Sequence, residues 1–108
     1  MNNEAVIAQK KALSMLGLAM NAGKVLTGGF AVEKSVKNQE AHLVILAGDA
    51  SDNTEKKFEK MCFYYKVPVL RLADKASLGR AVGKEYRSCV VVNDPGFAVQ
   101  IKKLMETR

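Results

Sequence analysis

With a single histidine, His42, and two cysteines, Cys62 and Cys89, the chain has little from which to build a metal centre or a thiol catalyst. Neither cysteine belongs to a Cys-x-x-Cys pair or stands near His42, which argues against a zinc site. Both lie in apolar contexts, Met61-Cys62-Phe63 and Ser88-Cys89-Val90, and read as small buried hydrophobes of a reducing cytosol. No apolar run approaches the roughly 20 residues of a membrane span. The start, Met1-Asn-Asn-Glu-Ala-Val-Ile-Ala-Gln-Lys10, lacks the basic-then-apolar order of a signal peptide, so a cytoplasmic protein is expected.

Nucleotide and catalytic motifs are missing as well. No Gly-x-Gly-x-x-Gly occurs. The segment Gly79-x-x-x-Gly83-Lys84-Glu85 is one residue short of a phosphate-binding loop and has an acid where that motif needs a hydroxyl. Asp49, Asp52, Asp74 and Asp94 each stand just after a strand or before a helix and read as turn formers and caps. No poised acid–base or nucleophile pair stands out. A non-enzymatic protein without metal or cofactor is expected.

What is present is glycine and positive charge in the same places. The net charge is +6; residues 1–37 carry five basic against two acidic side chains, and residues 71–87 again five against two. Residues 38–70 are slightly acidic. A regional excess of this kind suggests a side that faces a polyanion. The first basic stretch holds Gly28-Gly29 where a short extended piece must turn into a helix, bracketed by Lys24 and Lys34. Glycine there bares backbone N–H groups, and a helix N-terminus adds partial positive charge, so the turn suits a phosphate. The second stretch, Lys75-Ala-Ser-Leu-Gly-Arg-Ala-Val-Gly-Lys-Glu-Tyr-Arg87, is glycine-punctuated too. Phe30 and Tyr86 fall inside the two segments and offer faces on which an unstacked RNA base can lie. The structural alternatives stay open: a tight turn at Gly28-Gly29, close packing at Gly79, a helix cap at Gly83, and a core position for Phe30.

Apolar spacing predicts helices over Glu4–Asn21, Gly29–Lys37 and Asp52–Tyr65, the last opened by an Asp52-Asn-Thr-Glu55 capping box. It predicts a further short helix over Lys75–Val82, capped by Asp74, and a final one from Asp94-Pro95, with proline in the first turn. Strands are expected over Val25–Thr27, His42–Ala47, Val67–Leu72 and Ser88–Asn93. One domain, residues 1–108, with a three-layer α/β/α sandwich and a mixed sheet of about four strands, is the expected fold.

The ordered pattern Ala22-Gly-Lys-x-x-x-Gly28, Lys34, Leu43-Val-Ile-Leu-Ala47-x-Asp49, Val67-Pro-Val69, Leu78-Gly-x-Ala-Val-Gly83-Lys84 and Arg87 resembles the kink-turn RNA-binding ribosomal-protein superfamily, and within it the short bacterial YlxQ-like branch. The resemblance spans nearly the whole chain. It implies a non-enzymatic protein that binds structured RNA, with ribosome association and ribosomal or translation-related proteins as further partners. In that family the first glycine loop and its helix grip tandem sheared G·A pairs of a bent RNA, and the later loop holds a protruding base. Carried over, Lys24, Gly28, Gly29, Phe30, Lys34, Asp49, Tyr86 and Arg87 are the expected RNA-binding residues. The family's guanine-reading polar pair, commonly Asn-Glu or Lys-Gln, falls on Phe30 and Ala31, which lack those hydrogen-bonding groups. A protein-interaction module on the same fold, with RNA readout weakened or lost, is the alternative from another class.

Overall fold

In a computed structural model of the chain, which describes residues 3–106, the elements run α1 (Asn3–Asn21), β1 (Val25–Thr27), α2 (Gly29–Lys37), β2 (Leu43–Leu46), α3 (Asp52–Tyr65), β3 (Val69–Arg71), α4 (Lys75–Ala81), β4 (Cys89–Val92) and α5 (Pro95–Glu106). The strands form a mixed sheet in the order β1-β4-β2-β3, antiparallel at its first two junctions and parallel between β2 and β3.

The apolar runs of β2 and β4 exist because both faces of the sheet are covered. Leu43, Ile45, Val90 and Val92 point to one side, where Leu16 of α1, Leu78 of α4 and Ile101 of α5 close the core. Val44, Leu46, Cys89 and Val91 point to the other, against Val32 and Val36 of α2 and Phe58 and Cys62 of α3. This is the expected α/β/α sandwich. Both cysteines are buried free thiols, and burial pushes each up to about 11, so neither ionises near neutral pH. Cys62→Ala and Cys89→Ala are each expected to lower unfolding stability by about 1–2 kcal/mol and to leave RNA affinity unchanged, as read by chemical denaturation and titration.

Two expectations are corrected and one open alternative is closed. Strands β2, β3 and β4 are shorter than the expected runs, whereas β1 spans the expected Val25–Thr27. In β3 the Val67 amide turns back to the Cys62 carbonyl (2.8 Å) and Pro68 has no N–H to give, so pairing begins at Val69. The cap of α3 is Ser51, whose hydroxyl accepts from the Thr54 amide at 3.2 Å; Asp52 is already helical, and Glu55 pairs with Arg71. Phe30 is no core residue: it is 85% exposed, while Val32, Ser35 and Val36 fill the inner face of α2.

Because β1 and β2 both oppose β4 and β3 parallels β2, strands β1, β2 and β3 all point the same way. Their C-terminal ends, the N-termini of α2, α3 and α4, and the entry to β4 therefore gather at one pole.

Candidate nucleic-acid interface

At that pole α2 begins without a side-chain cap. The helices α3, α4 and α5 start under an oxygen of Ser51, Asp74 and Asp94, which accept from the amides of Thr54, Ser77 and Phe97 at 3.2, 2.7 and 2.9 Å. Gly28 stands at the cap position of α2 with φ 92 and ψ 153, a conformation open essentially to glycine alone, and its own N–H donates to the Cys89 carbonyl at 3.2 Å. The first amides of α2, at Gly29, Phe30 and Ala31, thus have no intrahelical acceptor and no capping side chain. Nothing lies within 4 Å of where a Cβ on Gly29 would stand. Bare N–H groups, a positive helix end and open space together make an anion seat.

Phe30 and Lys34, one turn apart, stand on the outward face of α2 and line a shallow depression of about 270 Å³ with Glu33, Lys37 and Asn38. Glu33 is held by Lys37 at 2.8 Å and Lys57 at 2.7 Å. Hydrogen bonds from those two ammonium groups bring its carboxyl down to about 2. The support it gives is present above the ordinary carboxylate range and lost as pH falls toward that value. Its charge is compensated locally and does not oppose a polyanion at Lys34.

The second segment is shaped by a close approach. A Cβ on Gly79 would stand 2.6 Å from the Glu85 carbonyl oxygen and 2.9 Å from the Tyr86 nitrogen. The Gly79 carbonyl accepts from the Lys84 amide at 2.8 Å. Gly79 therefore folds the loop of residues 83–87 onto α4. Gly79→Ala is expected to cost about 1–3 kcal/mol in thermal unfolding and to displace Tyr86, so that stability and RNA affinity fall together.

That loop is fastened to the first. Arg87 donates from Nε to the Thr27 hydroxyl at 3.1 Å and from its terminal nitrogen to the Tyr86 carbonyl at 2.7 Å, while its amide donates to the Lys75 carbonyl at 3.1 Å. Tyr86, Asp49, Asp74, Lys75 and Ala76 wall a cleft of about 710 Å³. Asp49 accepts there from the Lys75 amide at 2.8 Å. Asp74 is held ionised by the backbone N–H and hydroxyl of Ser77. A cleft lined by two acidic acceptors and a tyrosine suits the N–H edge of a base better than a phosphate.

The structure thus brings Gly28, Gly29, Phe30, Lys34, Asp49, Tyr86 and Arg87 to one pole and leaves Lys24 out. Lys24 precedes β1, where its carbonyl accepts from the Asn93 amide beyond the far end of β4. Four extended residues put it about 13 Å from Gly28 along the strand. Two residues not foreseen from the sequence take part, Thr27 and Lys75, both through contacts distant in sequence. Among the described residues no helix is long and apolar enough to cross a membrane, and no group of three or more His, Cys, Asp or Glu side chains is placed to hold a metal ion.

Residues 10–102 match the model of the ribosomal protein L7Ae/L30e/S12e/Gadd45 family. The chain is 47% identical over 92 residues to the RNA-binding protein YlxQ of Bacillus subtilis (strain 168), covering 85% of this chain and 92% of that one. It is 33% identical over 91 residues to the large ribosomal subunit protein eL30 of Lupinus luteus, covering 82% and 81%. Among solved structures, a protein of unknown function from Bacillus halodurans C superposes with a TM-score of 0.86 at 42% identity, over 89% of this chain and 97% of that one. The 15.5kD RNA binding protein of Giardia lamblia shares the fold, with a TM-score of 0.75 at 19% identity, over 96% and 99%.

Proposed function

The chain belongs to the ribosomal protein L7Ae/L30e/S12e/Gadd45 family, and from that membership we propose that it is a non-enzymatic, cytoplasmic RNA-binding protein that recognises kink-turn-like RNA in association with the ribosome. All of residues 1–108 act as one RNA-binding domain. The observation that supports the reading is the pole itself, where α2 starts uncapped with open space at Gly29, Arg87 is bonded to Thr27 just before that turn, and Lys34 and Tyr86 line depressions on the two segments. The bare amides of α2 take an RNA backbone oxygen. Lys34 and Arg87 meet phosphates on either side of it. Tyr86 stacks on an unpaired base whose N–H edge turns toward Asp49 and Asp74, and Phe30 offers a second stacking face.

A second reading, a protein-interaction module that kept the fold, is favoured by one observation, the exposure of Phe30 at the mouth of the site.

Gly29→Ala separates the two. Gly29 has open space and no positive φ to strain, whereas a side chain on Gly28 is opposed by its own backbone before any ligand arrives. The alanine variant is expected to unfold at the parent's temperature and to bind a kink-turn about tenfold more weakly, because the methyl keeps phosphate from the amides. Parent and variant binding the RNA alike would remove the anion seat from the proposal. A parent that binds no structured RNA at low salt would leave the interaction-module reading in its place.

A further inference from the structure

We propose that the outward face of α3 is a second RNA-contacting surface, which takes a single-stranded segment leaving the structured element held at the α2 pole; in naming RNA as occupant it rests on the function proposed above. Lys56 and Lys60 are four residues apart, and Phe63 and Tyr64 stand three and four residues beyond Lys60, so the four share one side of the helix. The inward side is already complete with Phe58 and Cys62. Phe63 and Tyr64 are 88% and 77% exposed, and no packing in the described structure accounts for two large rings standing together in water.

Charge decides what the face accepts. Of the acids near it, Glu55 and Glu59 are bridged by Arg71 and Glu33 is shared by Lys37 and Lys57, while Asp52, one turn before Lys56 on the same side of the helix, stays unpaired among the described residues. Lys56 and Lys60 have no carboxylate partner among the described residues. The face therefore presents two unpaired cations against the single acid Asp52, beside exposed rings, a net positive combination that holds single strands by phosphate attraction and base stacking. The Tyr64 ring meets Tyr65 edge-on, with centroids 4.9 Å apart, which fixes its orientation in advance.

Position connects this face to the pole. Helices α2 and α3 start at the same end of the sheet and run parallel, fastened by the 2.7 Å Lys57–Glu33 pair. The surface of Phe30, Lys34 and Lys37 thus continues sideways onto α3. From Lys56 to Tyr64 the stripe is about 12 Å long, enough for a short run of nucleotides leading away from the pole.

The test uses the full chain and a kink-turn RNA prepared blunt, with a 5′ uridine tail, and with a 3′ uridine tail. For the parent, one tail is expected to raise affinity about tenfold. A variant carrying Lys56→Gln, Lys60→Gln, Phe63→Ala and Tyr64→Ala is expected to lose that gain while binding the blunt RNA as before. A tail without effect at either end, or equal loss on blunt and tailed RNA, overturns the inference. A direct readout stands apart from the pole. The chain has no tryptophan, so Phe63→Trp supplies a single reporter whose fluorescence oligouridine alone is expected to quench by stacking. Quenching without any binding of blunt kink-turn RNA by the parent would reject the function proposed for the pole and keep this face as a single-strand site. An unquenched reporter overturns it, whether or not the face captures an acidic protein segment instead.

Discussion

Replacing Phe30 with Asn and Ala31 with Glu is expected to raise kink-turn affinity about thirtyfold or more, since two restored base contacts at about 1–3 kcal/mol each give at least about 2 kcal/mol. The two positions are the second and third residues of α2, at the edge of the anion seat. Phe30 is nearly free of the protein, so its loss leaves no cavity. Glutamate three residues after a helix cap often bends back to the N–H of the capping residue. Here that N–H already serves the Cys89 carbonyl, and the new carboxylate stays available to a guanine edge. A negative group in the first turn also suits the helix dipole, so unfolding temperature should hold or rise. The control is an RNA with its sheared G·A pairs disrupted, which should gain nothing and lose a little through repulsion between phosphate and the added carboxylate. Equal gains on both RNAs would mean that the substitutions act on charge or folding rather than on base recognition.

Binding by the parent is expected to weaken roughly fortyfold between about 50 and 200 mM salt, on the count of Lys34, Lys84 and Arg87 as three phosphate contacts and a log–log slope near −2.7. The count follows from placement. Lys34 stands one turn beyond Phe30 on α2, Arg87 is bonded to Thr27 just before the α2 turn, and Lys84 sits in the loop that Gly79 folds back. Lys24 lies at the other end of β1, and Arg80 faces a groove beside Leu13, Ser14 and Gly17 of α1. Charge reversal at either should leave the slope nearly unchanged. A flat salt dependence measured by titration would show that phosphates contribute little and that Phe30 and Tyr86 hold the ligand instead.

The sheet and its helices were legible in the sequence because their signals are local. The apolar runs of β2 and β4 covered on both faces, a proline opening α5 and a capping aspartate before α4 each report on their own neighbourhood. The errors arose where two local signals competed. Asp52-x-x-Glu55 has the form of a capping box, yet Ser51 precedes it and takes the Thr54 amide, while Arg71, a strand away, claims Glu55. The candidate site was half legible on the same principle. Its glycines and cations are visible in order along the chain, but adjacency in sequence misplaced Lys24, because an extended strand carries a neighbour away at over 3 Å per residue. Thr27 and Lys75 went unseen because their partners, Arg87 and Asp49, are 60 and 26 residues distant.

The bond from Arg87 to the Thr27 hydroxyl gives the pole a property that neither segment has alone. It couples the hinge of the α2 turn to the stem of the Tyr86 loop, so order imposed on one is felt by the other. On the proposed function, a base seated against Tyr86 would steady Arg87, and through it the strand end from which the bare amides project, and a phosphate on those amides would steady Tyr86 in return. Thermodynamic reciprocity requires the two gains to be equal. On that same proposal, an RNA that presents bend and bulged base together would be favoured over the sum of its halves, and cooperativity within a single small chain would become a source of selectivity for shape.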